Sequence, residues 1–340
     1  MVSGGRTRKT IEWPTVVVVV VFFAVYLGVI LGHRHIPWPV QLFVLVYLGG
    51  LSLSIGHELL HGHPTPWAWV NTTVGTIPLS MWIPFGRYKA SHIQHHRANL
   101  TDPFDDPEST YLAPPRWQEA SGMQRRYMIF LRTTPGRFSI GVPRTLVKFW
   151  WRDLQHLRDP KVWRPWLIHI PLTALLAWWL FGVVHYNPWL YLFGFVLGGA
   201  ACSVMRSFVE HCAVPSGTRS AVVLAGPVTS LLFLNINLHH THHTQPDVEW
   251  YRIPAIHREM GSNEIAAEGA GFYKSYFEVL RTYFFTPFCQ PDHPLSSQEP
   301  RIGPNMLRPM IVAPMPTSPA TSRSSSSPPA PPSSPIICLP

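Results

Sequence analysis

The sequence predicts an all-α integral membrane protein with four transmembrane helices arranged in two hairpins. Composition and the distribution of apolar residues lead to this prediction. Of the 340 residues, 46% are hydrophobic and only 13% are charged, whereas soluble chains usually carry about a quarter charged residues. The apolar residues are concentrated in long uncharged runs, and about 20 consecutive apolar residues span a bilayer as a helix.

Three uncharged runs supply the four predicted spans. The third run is 40 residues long, and a turn with the sequence HYNP at 185–188 divides it into two helices. Two other apolar segments contain helix-breaking prolines. Residues 64–86 are therefore predicted to be interfacial or re-entrant, and residues 221–238 buried or interfacial. The predicted spans are residues 15–32, 36–56, 166–184 and 188–205.

Basic residues predict which side of the membrane each connection faces. The N-terminal segment 1–14 contains three Lys and Arg residues, and the loop 87–164 contains 14. The short connections after the first and third spans contain one and none. Because loops rich in Lys and Arg stay cytoplasmic, both termini and the long loop are predicted to be cytoplasmic. A membrane domain over 15–312 is expected, followed by a Pro- and Ser-rich tail, 313–340, that is predicted to be disordered.

Three histidine motifs stand out in the predicted cytoplasmic segments. HELLH covers 57–61, HIQHH covers 92–96 and HHTHH covers 239–243, and the second and third share the pattern HxxHH. On a helix, residues i, i+3 and i+4 lie toward one side. A cytoplasmic helical cap is therefore expected to gather the imidazoles of all three motifs. This combination of residue type and spacing indicates a metal site.

The number of histidines indicates two metal ions. The motifs supply eight candidate ligands, more than the three protein ligands that a catalytic tetrahedral zinc takes together with one water. Eight imidazoles suit two ions of five or six coordination, and nitrogen ligands without thiolate suit iron, copper or zinc. The four cysteines contain no CxxC pair that would form a thiolate metal site. His211, which follows the fourth span, is a ninth candidate.

The HELLH motif taken alone allows a different interpretation. HExxH on a helix supplies two ligands and a general base to many zinc proteases, here His57, His61 and Glu58. That arrangement needs one metal ion and leaves the other two motifs without a role, so a membrane zinc protease is the remote alternative. Glu58 is then expected to be a hydrogen-bond acceptor behind the ligands or a polar helix residue. A metal transporter is disfavoured because the histidines are predicted at helix ends and not at bilayer depth.

With its motifs in context, the sequence resembles the membrane fatty acid desaturase and hydroxylase superfamily. The segments RYKASHIQHHRANLTDPFDDPEST, RSFVEH and NLHHTHHTQPDVEWYRIP are similar to a bacterial fatty acid desaturase-like branch. The resemblance implies a non-haem di-iron oxidase that uses O2 and two electrons on an unactivated C–H bond of a lipid. The expected location is the bacterial inner membrane, and the basic loops predict that the active site lies on the cytoplasmic side. Desaturation of a fatty acid is the expected reaction. Hydroxylation or ketone formation on a fatty acid, hydrocarbon or terpenoid is the alternative.

The resemblance also implies the ligands of the two iron ions. Some relatives carry an Asn four residues before the ninth ligand, where a water bridges to iron, and Ser207 occupies that position here. His240 competes as a ligand within the third motif, and His63 is a candidate for a supporting contact. The implied ligands are His57, His61, His92, His95, His96, His211, His239, His242 and His243.

Carboxylates are expected behind these ligands. Neutral imidazoles bring no charge to offset two cations, and a ligating histidine commonly donates its other ring N–H to a carboxylate. Acidic residues follow the second and third motifs and precede His211 directly, although those beside proline could equally be turn residues. The predicted partners are Asp102, Asp106, Glu210 and Asp247, with Asp105, Glu108 and Glu249 as further candidates.

Electrons are expected from a separate carrier protein. The sequence contains no Gly-rich dinucleotide motif and no cysteine set for an iron–sulfur cluster. The basic loop 87–164 could dock an acidic ferredoxin-like carrier or anionic lipid headgroups, and no nucleic-acid partner is expected. Several aromatic residues could line a channel for the lipid or lie at the membrane interface: Trp67, Trp69, Trp82, Phe85 and Trp250.

Overall fold

The structure is a computed structural model that describes residues 10–294. The predicted tail 313–340 and residues 1–9 of the predicted N-terminal segment lie outside the described residues. The described chain is mostly helical, as the sequence predicts. Its α-helices are α1 (Trp13–Leu31), α2 (Trp38–Leu60), α3 (Ala68–Gly75), α4 (Phe85–His95), α5 (Pro114–Gln118), α6 (Gly122–Phe130), α7 (Thr134–Gly136), α8 (Val142–Gln155), α9 (Pro160–Ala177), α10 (Pro188–Tyr191), α11 (Gly199–Arg206), α12 (Pro227–Leu232), α13 (His239–Thr244), α14 (Ile253–Glu259), α15 (Ser262–Ala267) and α16 (Tyr276–Thr282).

Four helices within residues 10–294 are long and apolar enough to cross a membrane. The first two are α1 and α2, and the π-helical segment Trp178–Val183 extends α9 into the third. The fourth consists of α10, the π-helical segment Leu192–Gly198 and α11. The observed bounds of these four spans are Trp13–Leu31, Trp38–Leu60, Pro160–Val183 and Pro188–Arg206. The second therefore ends later, and the third begins earlier, than the apolar runs suggest, because helical hydrogen bonding continues through the polar residues that end those runs.

Glycines allow the second and fourth spans to pack at very short distance. A Cβ atom added to Gly49 would lie 2.2 Å from the carbonyl oxygen of Phe195, and one added to Gly199 would lie 2.5 Å from the carbonyl carbon of Gly49. Small residues at such a crossing let two membrane helices approach backbone to backbone. The crossing places the end of α2, which bears the first histidine motif, beside the fourth span, which leads to His211.

Substituting Gly49 with alanine is expected to destabilise the protein. The added methyl group would force apart two backbones, and overpacking of this kind typically costs about 1–3 kcal/mol. Thermal unfolding in detergent should show a lower midpoint for Gly49→Ala than for the wild type. Gly28→Ala is the matched control, because a Cβ at that glycine of α1 meets nothing within 4 Å. Equal midpoints for the two variants would refute the close crossing.

Buried ion pairing fixes the helix that carries the second histidine motif. Arg87 of α4 donates from Nε and Nη2 to the two carboxylate oxygens of Asp153 in α8, at 2.9 and 2.8 Å. The indole Nε1 of Trp166 in α9 donates to the same carboxylate at 2.9 Å. Bidentate contacts between arginine and a carboxylate are strong and geometrically specific. They hold α4 against both the loop helix α8 and the third span.

A small parallel sheet supports the third histidine motif. Strand β1 (Val222–Val223) pairs with β2 (Phe272–Tyr273), and the segment around β1 is buried as predicted. The side-chain Nδ2 of Asn237 donates to the carbonyl oxygen of Val223 at 2.8 Å, and the backbone N–H of His240 donates to that of Ala221 at 3.1 Å. These bonds fix the start of α13. The sequence did not predict the sheet, whose two-residue strands are 50 residues apart.

Candidate metal centre

Each histidine motif lies at the end of a helix. HELLH forms the last turn of α2, with His61 just beyond the end of the helix. HIQHH ends α4 in the same manner, with His96 just beyond it. HHTHH begins α13, and His211 lies in the segment that follows α11. Side chains at the ends of several helices can meet where those ends come together.

The structure brings together all nine histidines that the sequence analysis singled out, in two groups. Within a group, each side chain offers one ring nitrogen, and these nitrogens all lie within 4.8 Å of one another. Each group could hold a metal ion. We call them the five-histidine group, consisting of His57, His61, His92, His96 and His242, and the four-histidine group, consisting of His95, His211, His239 and His243.

Helical geometry explains how the HxxHH motifs are divided. Residues four apart are offset by only about 40° around a helix, whereas residues three apart are offset by about 60° in the opposite sense. His92 and His96 thus belong to the five-histidine group and His95 to the other. In the third motif, His239 and His243, which are four residues apart, belong to the four-histidine group, and His242 belongs to the five-histidine group. Each HxxHH motif therefore links the two groups.

Distances within the groups fit metal coordination. The Nε2 atom of His96 lies 2.9 Å from that of His92 and 3.1 Å from that of His242. The Nε2 atom of His211 lies 3.0 Å from those of both His95 and His239. Two nitrogens about 2.1 Å from one ion are about 3.0 Å apart at a right angle and about 3.4 Å apart at the tetrahedral angle. The observed distances are therefore compatible with nitrogens that share one ion.

Buried ring nitrogens support the same conclusion. The Nε2 atoms of His57 and His243 are buried, and neither has a hydrogen-bond partner among residues 10–294. Leaving such an atom unsatisfied costs about 1–3 kcal/mol, and an ion bound by each group would remove that penalty. The donor set is entirely imidazole nitrogen, which suits iron, copper or zinc.

The protonation state of the histidines also suits ligation, because only neutral imidazole binds a metal ion. Burial and the neighbouring His92 and His95 lower the pKa of His96 to about 3. Burial and neighbouring histidines likewise lower the pKa of His242 and His243. These side chains therefore carry no proton that an incoming ion would have to displace near neutral pH.

Three carboxylates contact Nδ1 atoms of histidines in the two groups. Asp106 accepts from His95 at 2.7 Å. Glu108 lies 3.3 Å from Nδ1 of His92, and Glu210 lies 3.3 Å from Nδ1 of His239. These contacts orient the rings so that Nε2 faces the centre of each group, as is common for metal-binding histidines. Nδ1 of His211 instead donates to the carbonyl oxygen of Arg219 at 3.2 Å.

Asp106 favours the protonated form of the ring that it orients. Burial lowers the pKa of His95, but the hydrogen bond to Asp106 and the negative charge of Glu108 outweigh it, so the pKa lies above its usual value. The carboxylate thus favours positive charge on that ring. It would favour a metal cation at Nε2 for the same electrostatic reason.

Two of the predicted carboxylates lie elsewhere. Asp102 accepts the backbone N–H of Phe104 at 2.9 Å and so stabilises a turn. Asp247 is exposed, and no contact joins it to a histidine of either group. Glu108, which was only a further candidate, is the carboxylate that contacts His92. The turns around Pro103 and Pro107 decide which acid of this loop points inward, and the sequence pattern does not specify them.

The competing histidines point away from both groups. Nδ1 of His240 lies 3.1 Å from the hydroxyl of Thr218, and Nδ1 of His63 lies 2.6 Å from the carboxylate of Glu12. Ser207, at the position where some relatives carry Asn, accepts a hydrogen bond from Arg137. His211 belongs to the four-histidine group although Ser207 stands in place of that Asn.

Glu58 is buried in the last turn of α2. Its Oε1 atom lies 3.8 Å from Nδ1 of His57, beyond hydrogen-bond distance. His57 and His61 belong to a group with three further histidines, whereas a zinc protease needs a single further ligand and an open coordination position. The arrangement therefore gives Glu58 no role as the base of a zinc protease.

A cavity of about 390 Å³ adjoins both groups. Four histidines of the two groups lie in its wall: His92, His95, His211 and His239. A second cavity of about 60 Å³ extends between α1, α2 and the segment after α3. Leu53, Ile83 and Tyr88 line both cavities. Among the aromatic candidates, Trp82 lines the larger cavity and Phe85 the smaller, whereas Trp67 and Trp69 are exposed.

Comparison with known proteins agrees with this geometry. The family model described as fatty acid desaturase matches residues 36–276. This range contains both histidine groups and the second, third and fourth spans. No curated protein matches the chain in sequence. The match covers most of the chain, and the helices and histidine groups suggest a membrane oxidoreductase that acts on a lipid. The chain therefore belongs to the fatty acid desaturase family.

Proposed function

We propose that this protein is a non-haem di-iron, O2-dependent membrane oxidase, and that it introduces a C=C bond into a fatty acyl chain. The observation that carries the proposal is the presence of two separate imidazole groups, of five and four histidines, linked by two HxxHH motifs. Two ions held side by side without a thiolate ligand suit two-electron chemistry with O2 better than hydrolysis at one zinc. Family membership supports the same reaction class.

The chain would supply the ligands, their orientation and a binding site for the substrate. Iron held by the two groups would supply the oxidising power needed to remove hydrogen from an unactivated C–H bond. Asp106, Glu108 and Glu210 hold the imidazole rings. Their charge also offsets part of the positive charge of two cations among neutral ligands.

The two cavities are neighbours, and the larger one adjoins the histidines. The larger cavity exposes His92 and His95 to a bound molecule, and its shared wall at Leu53, Ile83 and Tyr88 leads toward the smaller one. Apolar side chains dominate the smaller cavity, so the end of a hydrocarbon chain would be stable there. We propose that the chain lies across both cavities, with the reacting carbons opposite the histidine groups.

We place the metal centre and both termini on the cytoplasmic side of the membrane, in a bacterium the inner membrane. The argument is the Lys- and Arg-rich loop 87–164, since such loops remain cytoplasmic. A separate ferredoxin-like carrier on that side would deliver the electrons. Hydroxylation or ketone formation on a fatty acid, hydrocarbon or terpenoid would use the same site and remains the second candidate.

Product analysis tests the reaction. The protein should be expressed with candidate lipids, and the products analysed by mass spectrometry with and without O2. Desaturation predicts O2-dependent products lighter by two hydrogens. Products heavier by one oxygen would replace desaturation with hydroxylation. O2-independent cleavage of a peptide would refute the oxidase altogether.

A further inference from the structure

A network of buried polar side chains lies behind the first histidine motif, at the end of α2. Its central residue is Glu12, which directly precedes α1 and is only 6% exposed. A buried carboxylate is costly unless partners satisfy it, and Glu12 has two. Its Oε1 atom accepts from Nδ1 of His63 at 2.6 Å, and its Oε2 atom accepts from the hydroxyl of Thr15 at 3.4 Å. Both partners are as deeply buried as Glu12 itself, so water does not compete for these contacts.

The network reaches the last turn of α2 through the backbone. The backbone N–H of His63 donates to the carbonyl oxygen of Glu58, the second residue of HELLH, at 3.1 Å. The backbone N–H of Glu12 donates to the carbonyl oxygen of Pro64 at 3.0 Å. The segment before α1 is therefore bonded to the residues that follow HELLH directly, and it holds the end of α2 in place.

Trp250 joins the same network to the third histidine motif. Its indole Nε1 donates to the hydroxyl of Thr15 at 3.1 Å, and its backbone N–H lies within hydrogen-bonding reach of the Glu58 carboxylate. Asn235, which precedes the motif, donates from Nδ2 to the carbonyl oxygen of Trp250 at 2.9 Å. These contacts tie the end of α2 to the chain on both sides of HHTHH.

The end of α2 contributes to only one of the two histidine groups. HELLH supplies two members of the five-histidine group and none of the four-histidine group. The ring centroid of His57 lies 4.6 Å from that of His242, which comes from the third motif. Neither ring nitrogen of His57 has a hydrogen-bond partner among residues 10–294, so no such contact sets the direction of this ring. Its place in the group therefore depends on how α2 and the third motif are held together.

We propose that Glu12 is a positioning residue of the metal centre, which fixes the end of α2 and with it the two HELLH histidines of the five-histidine group. Glu12 and Thr15 belong neither to a histidine motif nor to the matched range 36–276, so only the structure points to them. The inference rests on the proposed metal centre and adds to it a contribution from the segment before the first span.

Titration of the metal-depleted full chain with Co²⁺ in neutral detergent tests the inference without turnover. Glu12→Ala removes both side-chain contacts, and each histidine group is measured in a background that disables the other. In the His243→Ala background, which leaves the five-histidine group complete, Glu12→Ala should weaken Co²⁺ binding about 10–100-fold, the loss typical when a contact behind a ligand is removed. In the His96→Ala background, which leaves the four-histidine group complete, Glu12→Ala should not change the affinity.

Gln41→Leu is the matched control, because Gln41 is an equally buried polar residue at the opposite end of α2. Its side chain donates to the carbonyl oxygens of His33 and Ile36, about 24 Å along the helix from His57 at the usual rise per residue. Gln41→Leu should lower the midpoint of thermal unfolding but leave Co²⁺ binding in the His243→Ala background unchanged. Glu12→Gln keeps the shape of the side chain and is measured as a milder second variant, which should also weaken only the five-histidine group.

Three results would overturn the inference: unchanged Co²⁺ affinity in both backgrounds, equal losses in the two backgrounds, or a loss in Gln41→Leu as large as that in the Glu12 variants. A wild type that binds fewer than two Co²⁺ ions per chain would contradict the metal centre and this inference with it. Absence of lipid oxidation would contradict only the proposed reaction, because the titration involves no turnover.

Discussion

Replacing His96 or His243 with alanine is expected to abolish oxidation of the substrate. His96 supplies one of five nitrogens in one group, and His243 supplies one of four in the other. Turnover should fall more than about 100-fold, beyond the 10–100-fold loss typical when only a residue behind a ligand is removed. Iron content should fall as well, and elemental analysis of the purified variants would measure that loss directly.

His240→Ala is the matched control for both variants. This residue lies in the same HHTHH motif and is buried like most members of the two groups, but its ring faces Thr218 and it belongs to neither group. The variant should keep its iron and most of its activity. Loss of iron in His240→Ala together with full activity in His243→Ala would show that the third motif binds metal in a different arrangement.

Asp106→Asn is expected to lower metal affinity or turnover about 10–100-fold. The substitution preserves the shape of the side chain but removes the charge that the 2.7 Å contact presents to Nδ1 of His95. The pKa of His95 should fall toward the value that burial alone would give. Titration of the metal-depleted protein with Fe²⁺ measures the affinity, and an unchanged thermal midpoint would show that the fold is intact.

Asp102→Asn provides the comparison for that prediction. Asp102 lies in the same loop, but its carboxylate stabilises a turn and contacts no histidine. The Asp102→Asn variant should bind Fe²⁺ with the same affinity as the wild type. If both variants lose affinity equally, the loss belongs to the loop conformation and not to the charge behind His95.

The sequence was sufficient to identify the histidines but not their grouping. Spacings of three and four residues on a helix show that a motif presents several imidazoles to one side, and all nine candidates do meet. The assignment of His95 and His242 to different groups depends on how the ends of α4 and α13 face each other. That relationship is set by tertiary contacts such as the Arg87 ion pair with Asp153, which no local pattern encodes.

Carboxylates were harder to predict than ligands for a related reason. Four acids lie between residues 102 and 108, and only Asp106 and Glu108 turn toward histidines. Side-chain direction in this loop follows backbone turns next to proline, where neighbouring residues point in unrelated directions. Helical periodicity, which predicted the direction of the histidine side chains, is absent from this loop.

Metal content is the most direct test of the central claim that this chain holds two ions in two imidazole groups. The wild-type protein, purified in detergent after growth with iron, should contain about two iron atoms per chain by elemental analysis. Both should be lost or strongly depleted when one histidine of each group, His96 and His243, is replaced in the same variant. One zinc atom per chain, retained in that double variant, would contradict the account.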